Sequence, residues 1–101
     1  MKTIKITETA YENLSKEVFG QLKDLEPIIG EPFYVQLTAT YDTANVSTTL
    51  FLSGYVRWDV EGRLDTFTAT WYEARTEYLG EELINDFNYD TFKEWLPVDA
   101  F

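Results

Sequence analysis

The sequence predicts an α+β fold in which helices pack on an antiparallel sheet. Apolar residues recur at three- and four-residue steps before Pro27, a spacing typical of an amphipathic helix. Between Phe33 and Tyr72, three stretches alternate apolar and polar residues, which is typical of half-buried strands. Because 101 residues suffice for one modest core, we expect a single α+β domain spanning residues 1–101.

The N-terminal region predicts a short strand followed by a long helix. Residues 2–6 alternate in the manner of a strand, and Thr9 with Glu12 fits a capping box. Pro27 removes a helical hydrogen bond and disfavours helical geometry just before it. We therefore expect a helix from about Thr9 to Glu26. Its apolar stripe consists of Tyr11, Leu14, Val18, Leu22 and Leu25.

The central region predicts an antiparallel meander of three main strands, in addition to the short N-terminal strand. Residues 42–45 are expected to form the first hairpin loop, and Glu61-Gly62 the second. Strict alternation assigns each side chain to one of two faces. The predicted core face includes Leu37, Leu52, Phe67, Ala69 and Trp71, and the opposite face includes Tyr34, Phe51, Tyr55, Arg57, Tyr72 and several Thr residues.

The C-terminal quarter predicts a short helix, capped by Asn88 or Asp90 and stopped by Pro97. For residues 81–84, a helix and an extended segment both remain open. If this quarter of the chain crossed the Tyr- and Thr-rich face, that face would become a second core layer. Its polar content instead favours a face left open to solvent.

The amino-acid composition argues against several classes of function. Eighteen acidic and eight basic residues give a formal charge of −10, which disfavours direct binding to nucleic acids or to anionic membranes. Cysteine and histidine are absent, so there is no disulfide, no thiol nucleophile and no His-based metal site. No apolar run has the length of a signal peptide or of a membrane span. We expect a cytoplasmic protein without a cofactor.

Aromatic residues on the predicted solvated face indicate a binding role, because Tyr and Arg are favoured at protein interfaces. We therefore expect a non-catalytic interaction module. Its partner would be a second copy of the chain or another protein, for which a basic one would suit the charge. Ordinary cross-strand aromatic pairing explains the same pattern equally well. The expected partner-binding residues are Tyr34, Phe51, Tyr55, Arg57 and Tyr72.

Acidic residues at four-residue spacing suggest an alternative function. On one continuous helix, Glu82, Asp86, Asp90 and Glu94 would form a column with about 6 Å between neighbours. Such a column would mimic a nucleic-acid backbone and inhibit a basic nucleic-acid-binding protein. A solvated, solubilising segment is the simpler explanation. Residues 85–88 also have the composition of a helix break.

A third hypothesis is a small-ligand binder or a carboxylate-based enzyme. It would require a pocket between helix and sheet, lined by Trp58 and Trp71. A buried carboxyl group with a raised pKa in that pocket would support it. We do not expect catalysis, because only carboxylates, Tyr and Lys are available as reactive groups and no catalytic motif is present.

Overall fold

The computed structural model describes residues 2–101 and confirms the α+β prediction, with both helices on one face of a mostly antiparallel sheet. Residues 81–84, whose conformation the sequence left open, lie in a strand that ends at Asn85. In chain order the elements are β1 (Thr3–Ile4), α1 (Glu8–Lys23), β2 (Phe33–Asp42), β3 (Val46–Trp58), β4 (Leu64–Tyr78), β5 (Glu81–Asn85), α2 (Tyr89–Lys93) and β6 (Asp99–Ala100).

Helix α1 begins and ends earlier than the sequence predicts. Its N-cap is Thr7, whose hydroxyl accepts a hydrogen bond from the backbone N–H of Ala10 at 3.1 Å. The predicted cap at Thr9 is wrong, because Thr9 already lies in the first turn and its carbonyl accepts the Asn13 side-chain amide. At the other end, the N–H of Asp24 bonds to the helix and the chain leaves it before the proline. Neither helix in residues 2–101 is long and apolar enough to cross a membrane.

The sheet has the order β1-β5-β4-β3-β2, and β6 pairs with the first half of β4. Strands β2, β3, β4 and β5 are antiparallel to their neighbours in the meander, whereas β1 and β6 pair in parallel. Residues 99–101, which follow α2, join the sheet edge through backbone hydrogen bonds of Phe101 with Phe67 and Ala69, at 2.9 and 2.8 Å. They therefore extend the sheet sideways and do not lie across either face.

Both helices bury their apolar sides against the same face of the sheet. Tyr11 of α1 contacts the Phe87 ring with 5.5 Å between centroids, and its hydroxyl accepts the N–H of Asn88 at 3.0 Å. These contacts fix the start of α2 beside α1. Each large side chain that is fully buried contributes about 1.5–3 kcal/mol to stability. The fully buried residues include Leu14, Val18, Leu22, Leu50, Leu52, Val56, Phe67 and Phe92.

A β-bulge in β4 reverses the alternation of its side chains. Ser53 pairs with Trp71 but Gly54 pairs with Ala69, so Thr70 is an extra residue. Beyond the bulge, Tyr72 lies opposite Leu52 on the core face, and Trp71 lies on the other face. The predicted faces are therefore correct up to the bulge and wrong for these two aromatic residues.

Gly54 permits the close approach of β3 and β4 at the bulge. A Cβ atom at this position would lie 2.2 Å from the carbonyl oxygen of Thr68 and 2.9 Å from the Cα of Ala69. Both contacts involve backbone atoms, which cannot rotate away as a flexible side chain would. Any larger residue must therefore push the two strands apart.

We predict that Gly54→Ala lowers the free energy of unfolding by about 3 kcal/mol, as overpacking of a rigid site does. Gly20→Ala is the matched control, because nothing lies within 4 Å of a Cβ atom placed there in α1. It should raise stability by about 1 kcal/mol through helix propensity. Urea unfolding monitored by circular dichroism measures both values. Equal effects of the two substitutions would contradict the role assigned to Gly54.

Candidate functional site: the open sheet face

The sheet surface opposite α1 and α2, here called the open face, is built from alternate residues of β2, β3 and β4. No helix among residues 2–101 packs on it, because both helices share the other face. Strand register arranges its side chains in cross-strand rows. From one end to the other the rows are Arg57–Thr66, Tyr34–Tyr55–Thr68, Gln36–Ser53–Trp71, Thr38–Phe51–Glu73, Thr40–Thr49–Arg75 and Asp42–Ser47–Glu77.

Three large aromatic side chains are exposed toward one end of the open face. Tyr34, Tyr55 and Trp71 keep 46%, 45% and 52% of their surface accessible. The two tyrosine rings meet edge to face, with 5.4 Å between centroids. Beside them, Arg57 helps to line a shallow depression of about 440 Å³ that also includes Pro32. Apolar rings next to hydroxyl and guanidinium groups are typical of a protein-binding surface.

Side chains in the middle of the open face differ in length and in burial. Ser53 is buried although it lies on this face, because it is short and stands between the longer Gln36 and Trp71. In the next row, Phe51 is half-buried, and the guanidinium carbon of Arg75 lies 5.9 Å from its ring centroid. The short, buried Ser53 side chain thus lies directly beside the half-buried ring of Phe51.

The open face carries little net charge. Its rows contain two bases and three acids, so its formal charge is −1, whereas that of the chain is −10. The bases are Arg57 and Arg75, and the acids are Asp42, Glu73 and Glu77. Most of the acidic charge therefore lies elsewhere on the molecule.

Four of the five predicted binding residues lie on the open face, and Tyr72 does not. The bulge turns its ring to the helix side, where it stacks on Tyr89 with 5.3 Å between centroids and contacts Phe87 at 5.8 Å. Trp71 takes its place on the open face, and sequence analysis missed it. The available signal was Gly54, since a glycine inside a strand often marks a bulge or a close backbone approach.

The acidic residues do not form a column. Glu82 lies in β5, Asp86 follows that strand, Asp90 lies in α2 and Glu94 caps the end of α2. The predicted break at residues 85–88 is confirmed, with Asn88 as the N-cap of α2. Two of the acids make polar contacts within the protein: the Asp86 carboxylate accepts the N–H of Ile6 at 2.7 Å, and Asp90 pairs with Lys93 at 3.3 Å.

Trp58 and Trp71, which the third hypothesis places in one pocket between helix and sheet, lie on opposite faces and, within the described part of the chain, do not line a common pocket. Trp58 is buried on the core face and packs near Phe33, with 6.4 Å between ring centroids. A separate cavity of about 130 Å³ lies near the start of α1 and is lined mainly by apolar atoms. Thr76 lines it, and its buried hydroxyl has no hydrogen-bond partner within residues 2–101. A buried polar group in a cavity of this size suits ordered water.

No protein-family model matches this sequence, and comparison with curated proteins and with solved structures finds no match either. Function is therefore inferred from the geometry and chemistry of the open face.

Tyr89 connects α2 with the end of the chain. Its hydroxyl donates to the carbonyl of Phe101 at 3.1 Å. Burial raises the pKa of Tyr89 to about 12, and the negative charge of Asp90 contributes to the same shift. In the unfolded chain the pKa of a tyrosine is about 10. The unfolded state therefore releases this proton first, and stability falls as the pH rises from about 10 to about 12.

We predict that Tyr89→Phe lowers the free energy of unfolding at pH 8 by about 1 kcal/mol, because one hydrogen bond is lost. The difference between wild type and variant should shrink at pH 11, because only the wild type carries the cost of ionising this hydroxyl in the folded state. Urea titrations at both pH values measure the change. A difference that stays constant would show that Tyr89 ionises normally.

We also predict different outcomes for the two adjacent aromatic residues of the bulge. Tyr72→Ser removes the ring contacts with Tyr89 and Phe87 and should cost about 1.5 kcal/mol of stability, although part of the Tyr72 ring is exposed. Trp71→Ser removes a half-exposed side chain that contacts no other ring among residues 2–101 and should cost less, about 0.5 kcal/mol. Urea unfolding of the two variants decides between this assignment and simple alternation, which expects the reverse order.

Proposed function

We propose that this protein is a non-catalytic interaction module that binds a protein surface through the open face. The exposed aromatic residues Tyr34, Tyr55 and Trp71 form the apolar part of the site. Arg57 provides hydrogen-bond donors at its border, and the Thr residues of β2 and β4 surround it with hydroxyl groups. Binding energy at such surfaces is concentrated in a few aromatic and Arg side chains.

The exposure of Trp71 is the observation that carries the proposal. Cross-strand pairing accounts for Tyr34 and Tyr55, which contact each other. It does not account for Trp71, whose row neighbours are Ser53 and Gln36 and which joins no aromatic pair among residues 2–101. A half-exposed indole that stabilises no neighbouring ring suits a contact with another molecule.

The charge of the open face favours a protein partner over a nucleic acid. Only Arg57 and Arg75 are basic within its rows, and Glu73 lies beside Arg75 with 3.4 Å between their charged groups. Phosphate backbones require several unpaired cations along one track. Aromatic stacking without such a track gives little affinity for single-stranded nucleic acid.

We predict that a photo-reactive benzoylphenylalanine placed at position 55 or 71 forms a covalent adduct with a partner protein in an extract of the native host. The matched control is position 78, where Tyr78 is similarly exposed but lies on the same side of β4 as the buried Thr76. Mass spectrometry identifies the attached peptide.

Adducts at positions 55 and 71 but not at 78 support the proposal, and an adduct with a second copy of the chain counts equally. Equal labelling at all three positions, or none at any, would contradict it. A cooperative thermal melt of each substituted protein confirms that the fold is intact.

A further inference from the structure

The fold protects the edges of its sheet but leaves the open face uncovered. In the middle of β2, the Gln21 side-chain amide donates to the carbonyl of Thr38 at 2.9 Å, and the Glu17 carboxylate accepts the N–H of Thr40 at 3.2 Å. At the opposite side, the short strands β1 and β6 occupy the edge. Unpaired edge groups are what promote association between sheets side by side. The open face is therefore the better surface for self-association.

A second copy of the chain meets little electrostatic repulsion at the open face. The face carries −1 of the total charge of −10, so most acidic groups lie behind or beside it. At physiological ionic strength the Debye length is about 8 Å. Charges on the far side of a sheet layer about 10 Å thick are then largely screened from the other copy.

The order of charges along the open face selects one orientation of two copies. Arg57 lies in the first row, and Asp42 and Glu77 lie in the last, about 34 Å away along β3. A two-fold axis parallel to the strands would place Arg57 against Arg57 and Asp42 against Glu77. A two-fold axis across the strands instead places Arg57 of each copy between Asp42 and Glu77 of the other. Only the second arrangement pairs opposite charges.

We propose that the open face binds a second copy of this chain, face to face, with β3 of one copy antiparallel to β3 of the other. This inference rests on the proposed function and names the partner. The same axis brings the third row against the fourth, so that Phe51 of each copy faces the shorter Ser53 side chain of the other. The charges of the face are self-complementary about this axis, as an interface with two-fold symmetry requires.

The small size of the open face predicts a weak dimer. Ten residues of three strands cover about 34 by 14 Å, or about 500 Å² per copy before side chains are counted. Standard stable interfaces bury about 800 Å² per partner. The dimer should therefore be reversible, with a dissociation constant of about 10–100 μM.

Sedimentation equilibrium of the full chain at about 0.15 M salt and about 1–500 μM protein tests the inference. The average mass should rise from that of one chain, 11.8 kDa, toward twice that value. Tyr55→Glu should weaken association about tenfold or more, because it replaces an exposed ring of the face with a charged group that must lose its hydration on binding. Tyr78→Glu is the matched control and should leave the dissociation constant unchanged.

A charge-exchange cycle tests the orientation. Arg57→Glu and Glu77→Arg should each weaken the dimer, because each places like charges together. The double variant should bind about threefold more tightly than either single variant, because the exchanged charges at positions 57 and 77 again meet as opposite pairs between the copies. Within one chain the two positions are about 34 Å apart, so coupling between them must arise between copies. Thermal melts confirm folding of every variant.

A wild-type mass of one chain over the whole concentration range would overturn the inference. So would a dimer that Tyr55→Glu does not weaken, or a double variant no tighter than the singles. If the wild type is monomeric while position 55 still cross-links to a different protein, the proposed function stands and only the second copy is rejected. A monomer without cross-links contradicts both.

Discussion

The close approach of β3 and β4 at Gly54 determines which side chains the sheet presents to solvent. Because no Cβ occupies this position, the carbonyl of Thr68 fits against the neighbouring strand, and β4 accommodates an extra residue at Thr70. That residue shifts the alternation by one. As a result Tyr72 joins the helix side, and Trp71 faces outward. The absence of a Cβ atom at Gly54 thus determines that Trp71, and not Tyr72, lies on the candidate site.

The same shift places adjacent aromatic residues of β4 on opposite faces of the sheet. On the helix side, Tyr72 stacks on Tyr89, and Phe67 is completely buried. On the open face, Trp71 and Tyr55 are about as exposed as Tyr72, but neither makes a ring contact with a buried aromatic residue of the core that the structure describes. Because burial on one face of the sheet supplies the core, the opposite face is free to carry residues chosen for contact with another molecule.

Sequence periodicity predicted most of this fold because α1 and the three meander strands each bury one regular face. Leu14, Val18 and Leu22 follow helical spacing, and Leu50 and Leu52 follow strand spacing, as the structure confirms. Elements that lack a regular buried face show weaker hydrophobic periodicity in the sequence. Strands β1 and β6 have two residues each, too few for a reliable periodic signal, and their parallel pairing depends on distant segments.

The candidate site was predicted less completely than the fold because it depends on side-chain direction, which a single inserted residue reverses. Tyr34 and Tyr55 were correctly placed because they lie on β2 and β3, whose mutual register is uninterrupted over ten pairs. Trp71 follows the bulge. The largest exposed ring of the face was therefore the one that alternation assigned to the core. A glycine within a predicted strand should lower trust in alternation beyond it, and here it marks the point where the face of Trp71 is decided.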